Sequence, residues 1–92
     1  MADDVCERVV FAGLVQGVGF RWTTERYARR RSLCGTVRNL PTGEVEMYVT
    51  GPSSEIEGLI GDLNQHFSGQ IRSIERAIPE EKVEFSDFRI LR

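Results

Sequence analysis

Segments of strand character and of helix character alternate along this chain of 92 residues, and their order restricts the folds open to it. Stretches rich in β-branched residues predict strands over 5–13, 34–40, 44–50, 70–78 and 85–91. Apolar residues at helical spacing predict helices over 20–33 and 54–67. The order β-α-β-β-α-β is typical of a ferredoxin-like fold. We therefore expect an α+β fold in a single domain over residues 1–92: an antiparallel sheet with two helices on one face, water on the other, and an additional C-terminal strand.

The second predicted helix has the clearest pattern. Ser54 and Glu57 have the spacing of a capping box, which predicts that the helix begins there. Gly58 and Gly61 each weaken a helix by about 1 kcal/mol relative to alanine. The sequence leaves open whether these glycines permit close packing or serve no structural purpose.

The balance of charge gives no reason to expect a nucleic-acid or membrane partner. The formal net charge is −2 at pH 7, so no overall positive potential attracts polyanions. The sequence shows no signal peptide, and no run approaches the ~20 apolar residues that span a bilayer. Cys6 and Cys34 lack metal-ligand spacing, so we expect free, buried thiols and no bound metal. These features favour a cytoplasmic protein.

A glycine-rich stretch joins the first predicted strand to the first predicted helix. Gly13, Gly17 and Gly19 permit positive φ angles, and successive amides in such a turn can converge on an anion at a helix N-terminus. Arg21 follows in the first helical turn, where a cation opposes the helix dipole unless an anion lies between them. A glycine-rich turn beside a surface arginine is the alternative that the residues alone leave open. The spacing fits neither a dinucleotide-binding fingerprint nor a P-loop.

Two motifs carry a resemblance to a known family. "VQGVGFR" at 15–21 resembles the first motif of the acylphosphatases, and "GTVRNLPTGEVEMYVTG" at 35–51 resembles the second. The distance between the motifs, the order of the elements and the closing Phe-x-Ile at 88–90 also resemble that family. The resemblance therefore extends along the whole chain.

The resemblance implies that the chain hydrolyses acyl phosphates to a carboxylate and inorganic phosphate, as a monomer without metal or cofactor. It implies two catalytic residues: Arg21, which holds the phosphoryl oxygens, and Asn39, which positions the attacking water. The implied phosphate-binding residues are Arg21 and the backbone amides of Val15, Gln16, Gly17, Val18 and Gly19. Physical chemistry is compatible with so few groups, because a carboxylate leaving group with a pKa near ~4 departs without a general acid. We accordingly expect the only histidine, His66, to lie on the surface.

The sequence departs from the family at two places. Leu14 stands where the family commonly carries arginine, and Arg31, Ser32 and Leu33 replace a usual Leu-Gly-Leu. Ser32 must then adopt the left-handed conformation that glycine prefers, at a small cost in stability. We expect Arg31 to extend its charged end to solvent, and neither departure to remove the phosphate-binding backbone.

Two alternatives to an enzyme remain. The first is a non-catalytic anion-binding or regulatory module of the same fold. The second is RNA binding, suggested by the arginines at 26 and 29–31. RNA readers of this fold stack bases on exposed sheet aromatics, for which Tyr48, Phe85 and Phe88 are candidates, but the sequence does not match the RNP1 pattern. A solvated basic face is the favoured interpretation of these arginines.

Overall fold

The computed structural model describes residues 4–81 and 83–92. Its elements are β1 (Asp4–Gly13), α1 (Phe20–Arg30), β2 (Cys34–Asn39), β3 (Val45–Pro52), α2 (Ser53–His66), β4 (Ile71–Ala77) and β5 (Phe88–Ile90). Helix α1 packs on β2 and β5, α2 packs on β3, and the two helices contact each other. The predicted order of elements and the ferredoxin-like fold are confirmed. Within the described residues, no helix is long and apolar enough to cross a membrane.

The four strands of the predicted antiparallel sheet pair as expected, and the additional C-terminal strand makes the five-stranded sheet mixed. The strand order is β4-β1-β3-β2-β5. Strand β1 pairs antiparallel with β3 and β4, and β2 pairs antiparallel with β3, but β5 pairs parallel with β2. The chain leaves β4 at one edge and crosses to the opposite edge before β5 begins. Because this connection starts and finishes at the same end of the sheet, β5 must run in the direction of β2.

The core lies between the helices and one face of the sheet. Residues that alternate along the central strands point into it, as period-2 geometry requires. The fully buried members from β1, β3 and α2 are Val9, Phe11, Val45, Met47, Val49, Ile56, Leu59 and Leu63. Phe20 packs against Phe11 and Phe67 with ring centroids 4.9 and 4.8 Å apart. These aromatic contacts fix the first turn of α1 against β1 and the end of α2.

The opposite face of the sheet is less open to water than predicted. A groove there is formed by side chains such as Tyr48 from the sheet and Phe85 from the segment after β4. Glu46 is buried on this face, with Oε2 2.6 Å from Arg8 Nε and Oε1 2.7 Å from Arg38 Nε. Burial alone would raise the pKa of Glu46, but the hydrogen bonds from Arg38 and Arg8 outweigh burial and hold that pKa below its usual value.

The start of α2 differs from the predicted capping box. The helix begins at Ser53, Pro52 is the N-cap, and no side chain caps the described helix start. Proline is compatible with this position because its fixed φ, here −61°, suits entry into a helix and it has no N–H of its own that would need a partner. Glu57 is instead drawn to Arg76, whose Nη2 lies 2.6 Å from Glu57 Oε2. This pair lowers the pKa of Glu57.

The end of α1 has the predicted left-handed residue. Ser32 has a φ of 57°, and it is the non-glycine residue with positive φ in the described chain. The Leu33 amide donates to Ala28 O at 3.0 Å and the Ser32 amide donates to Arg29 O at 3.1 Å. These two bonds form a Schellman motif, in which Ser32 occupies the position that glycine usually takes.

Arg26, Arg29 and Arg30 are exposed, as the prediction of a solvated basic face requires, but Arg31 is half-buried and paired, which corrects the prediction for that residue. Arg31 Nη1 lies 2.9 Å from Glu55 Oε1, and Arg31 Nη2 lies 3.0 Å from Asp62 Oδ2. Its guanidinium crosses α2 at Gly58, where an added Cβ would overlap it. Arg29 Nη2 donates to Phe88 O at 3.0 Å. Gly58 thus serves close packing, whereas a Cβ at Gly61 would meet nothing within 4 Å.

Candidate active site

The glycine-rich loop between β1 and α1 is held by a buried side chain at each end. Val15 and Phe20 are each 1% exposed, whereas the four residues 16–19 between them are exposed. Gly17 and Gly19 have φ angles of 77° and 79°, and an added Cβ at either would meet nothing within 4 Å. Glycine is therefore required there for backbone conformation rather than for space.

Gly13 has a different role from the one predicted. It lies at an irregularity in the pairing of β1 with β4, and an added Cβ would overlap Gln70 O. The next amide, that of Leu14, donates to the same carbonyl at 2.8 Å. Gly13 therefore permits close approach of two strands and does not belong to the exposed part of the loop.

The side chain of Gln16 fastens the loop to the β2–β3 hairpin. Its Nε2 donates to Leu40 O and to Glu44 O, each at 2.9 Å. Leu40 directly follows Asn39, so these bonds tie the loop to the chain segment that carries the predicted catalytic amide. No local sequence pattern marks this side chain, because its acceptors lie 24 and 28 residues away.

Arg21 lies in the first turn of α1. No acidic side chain of that turn compensates its positive charge. The N-cap is Gly19, no side chain caps this end, and the first turn has no acidic residue. Arg21 is half-buried, and its Nη1 donates to Leu91 O at 3.4 Å. Among the described residues Arg21 forms no ion pair. Its charge therefore reinforces the positive end of the helix dipole.

Asn39 is the last residue of β2 and is exposed. Alternation along the strand places it on the same face of the sheet as the buried Val37, which is the face that α1 covers. Asn39, the loop and the start of α1 line one cavity of about 230 Å³. The cavity is lined by Val15, Gly17, Gly19, Phe20, Arg21, Trp22, Asn39, Ile90 and Arg92. Of the predicted site residues, Gln16 and Val18 do not line it.

Four lining residues were not among the predicted site residues: Phe20, which is a core residue, and Trp22, Ile90 and Arg92. Ile90 and Arg92 come from the end of the chain, where Phe88, Ile90 and Arg92 follow the period-2 pattern of one strand face. That pattern is visible in the sequence. Its relevance depends on β5 lying beside β2, which places Ile90 opposite Val37, two residues before Asn39. Arg92 therefore also lines the cavity.

Comparisons with known proteins support a single family. The acylphosphatase family profile matches residues 7–90. The chain belongs to the acylphosphatase family. An acylphosphatase of Chlorobaculum tepidum is 40% identical over 87 residues, which cover 90% of this chain and 91% of that one. An acylphosphatase of Acaryochloris marina is 36% identical over 94 residues, covering 100% and 99%. The crystal structure of Bacillus subtilis acylphosphatase superposes with a TM-score of 0.85 at 28% identity, covering 95% and 98%.

The family and enzyme class predicted from the two motifs are thereby confirmed. Both acylphosphatase motifs lie inside the matched residues, whereas Arg92 lies beyond them. Leu14, the first departure from the family pattern, is 70% exposed and does not line the cavity.

Proposed function

We propose that this chain hydrolyses the carboxyl–phosphate bond of small acyl phosphates, releasing a carboxylate and inorganic phosphate without metal or cofactor. The observation that carries the proposal is the shared cavity: left-handed glycines, Arg21 and Asn39 line one space of about 230 Å³.

The phosphoryl group binds where the loop meets α1. The backbone amides of residues 15–19 and the start of α1 supply hydrogen-bond donors and the positive end of the helix dipole. Arg21 adds a charge that persists over the usable pH range, since a guanidinium is not deprotonated in proteins. The absence of an acidic residue from the first turn of the described helix supports this role, because nothing there competes with the phosphate for Arg21.

Asn39 orients the water. Its amide offers both a donor and an acceptor, which suffices to hold a water molecule in one direction. The water oxygen attacks phosphorus, the bond from phosphorus to the acyl oxygen breaks, and the carboxylate leaves with the bonding electrons. The proton of the water passes to a phosphate oxygen, so no protein base is needed. Positioning and electrostatic stabilisation account for most of the catalysis in such transfers.

His66 takes no part in this proposal. It is exposed, as predicted, and its Nδ1 lies 3.0 Å from the Tyr27 hydroxyl oxygen. It lines a groove between the helices rather than the cavity that holds Arg21.

We further propose that the chain acts as a cytoplasmic monomer with no nucleic-acid or membrane partner. The net charge of −2 supports the absence of a nucleic-acid or membrane partner. So does Phe88, one of the candidate stacking residues, because it is 1% exposed and packs in the core.

The test is the hydrolysis of benzoyl phosphate in the presence of EDTA, with equilibrium binding of inorganic phosphate measured in parallel. We expect Arg21→Ala to lose both turnover and phosphate affinity, and Asn39→Ala to lose turnover while still binding phosphate. Arg72→Ala and Asn64→Ala are matched controls, since both residues are exposed and outside the cavity. Equal loss of phosphate binding in the two site variants would contradict the separate roles. Phosphate binding by the wild type without hydrolysis would instead favour the non-catalytic module.

A further inference from the structure

Trp22 is a large aromatic side chain left exposed at the edge of the cavity. It is the only tryptophan of the chain and is 57% exposed. It follows Arg21 directly and lines the same cavity. The neighbouring apolar residue Phe20 is 1% exposed and packs in the core. Trp22 lies on the exposed side of α1, together with Arg26, at the point where that side meets the cavity.

Arg26 restrains the indole of Trp22. The two residues are one helical turn apart, and the Arg26 guanidinium carbon lies 5.0 Å from the ring centroid. A cation over an aromatic face at this distance is attracted to it. The contact favours one placement of the side chain, so that less conformational freedom is lost when a ligand packs against the ring.

The cavity is larger than a phosphoryl group requires. Its volume of about 230 Å³ compares with the roughly 10–15 Å³ that one water molecule requires on the same measure. When a phosphoryl group occupies the loop and Arg21, space remains for the part of the substrate beyond the bond that breaks. Three of the lining residues, Phe20, Trp22 and Ile90, are large and apolar, and of these Trp22 is the most exposed.

We propose that Trp22 sets the specificity for the acyl group, by packing its indole against flat, apolar acyl groups. The chain then prefers aroyl phosphates to acetyl phosphate. This inference rests on the proposed function and adds to it a substrate class. Offset or edge contacts between aromatic rings contribute beyond the area that they bury, whereas an acetyl group presents a single methyl to the indole.

The contact affects substrate binding more than the chemical step. The acyl ring stays apolar while the bond to phosphorus breaks, so the indole binds ground state and transition state about equally. Uniform binding of this kind lowers KM and leaves kcat nearly unchanged. A merely structural role of Trp22 would instead change the kinetics of every substrate.

The test compares benzoyl phosphate with acetyl phosphate for the wild type, Trp22→Ala and Trp22→Phe. We expect Trp22→Ala to raise the KM for benzoyl phosphate roughly tenfold, with acetyl phosphate changed by less than about twofold. Trp22→Phe should restore most of the difference. Ile78→Ala is the control, because Ile78 is 81% exposed and outside the cavity. Equal losses on both substrates, or an unchanged KM for benzoyl phosphate in Trp22→Ala, would overturn the proposal.

Tryptophan fluorescence gives a second measurement that needs no turnover. Since Trp22 is the only tryptophan, benzoate added in the presence of phosphate should change the emission saturably, and acetate should not. If the wild type hydrolyses neither substrate, the proposed function fails, and this titration still decides whether Trp22 contacts a flat acyl group. Equal responses to benzoate and acetate would count against the specificity.

Discussion

The arginines at the two ends of α1 lie in opposite electrostatic surroundings. At the N-terminal end, Arg21 stands beside uncapped amides with no acidic residue in the first turn. At the C-terminal end, Arg31 is bonded to Glu55 and Asp62 of α2. Both arginines lie within one turn of a helix end. One is neutralised by the fold, and the other faces a cavity.

Helix electrostatics explains what this difference does. A cation near a helix C-terminus is favourable and a cation near the N-terminus is unfavourable, by about 0.3–1 kcal/mol at exposed sites. Arg31 therefore serves the folded state, whereas Arg21 opposes it until an anion binds. Conflict between local preference and residue choice is expected where a site is kept for a ligand. The comparison separates a region that stabilises the fold from a region that we propose binds phosphate, on a single helix.

Matched substitutions at the two ends give the largest expected effect. We expect Arg21→Gln to lower kcat/KM for benzoyl phosphate by roughly 10²–10³-fold, since it removes a fixed charge from the transition state. Its unfolding free energy in phosphate-free buffer should stay unchanged or rise by about 0.3–1 kcal/mol. Arg31→Gln should keep wild-type activity and lower the midpoint of urea unfolding. Steady-state kinetics and urea titrations of both variants check these expectations.

Phosphate supplies the control for this pair. A ligand that binds only the folded state raises its stability in proportion to the logarithm of ligand concentration. Phosphate should therefore raise the unfolding midpoint of the wild type and of Arg31→Gln, but not that of Arg21→Gln. An equal shift in all three proteins would mean that Arg21 does not bind the anion, and the contrast between the two ends would be lost.

Substitutions at Gly58 and Gly61 of α2 test the packing at the C-terminal end of α1, with a smaller expected effect on stability. Gly61→Ala should stabilise the protein by about 0.5–1 kcal/mol, because alanine favours the helix and a Cβ there meets nothing within 4 Å. Gly58→Ala should give less or destabilise, because its Cβ would displace the Arg31 guanidinium. In an Arg31→Gln background the two alanines should become equivalent, which a double-mutant cycle measures. A Gly58→Ala gain equal to that of Gly61→Ala in the wild type would show that Arg31 does not need this space.

The sequence was sufficient where local rules decide the outcome. Stretches rich in β-branched residues predicted each strand, and apolar residues at helical spacing predicted each helix, to within a few residues. The positive φ of Gly17, Gly19 and Ser32 followed from loop and helix-end chemistry. In these cases the information needed lies within a few residues of the position concerned. Arg21 and Asn39, which line one cavity, were assigned to a common site by the resemblance to a family and not by local rules.

Features that depend on distant pairing were missed. The direction of β5 depends on the path of the segment between β4 and β5. That segment has no hydrophobic periodicity from which its path could be predicted. The capping-box prediction failed because α2 begins one residue earlier, with Pro52 at the N-cap position, and Glu57 pairs with Arg76, 19 residues further along the chain. The partners of Arg31 and the place of Trp22 beside Ile90 likewise follow from packing between elements that one sequence does not pair.

The smallest expected effect concerns Ser32 at the Schellman turn. A non-glycine residue in the left-handed region costs roughly 1–2 kcal/mol, part of which is offset because glycine gives the unfolded chain more freedom. Ser32→Gly should therefore raise the unfolding free energy by only about 0.5 kcal/mol, measured by urea titration, and leave activity unchanged. Ser32→Ala keeps the Cβ and is the matched control, expected within a few tenths of a kcal/mol of the wild type. The two hydrogen bonds that Ala28 and Arg29 accept come from backbone amides, so they do not depend on the side chain at 32. If the glycine variant were no more stable than the alanine variant, the strain assigned to the φ of 57° would therefore be refuted.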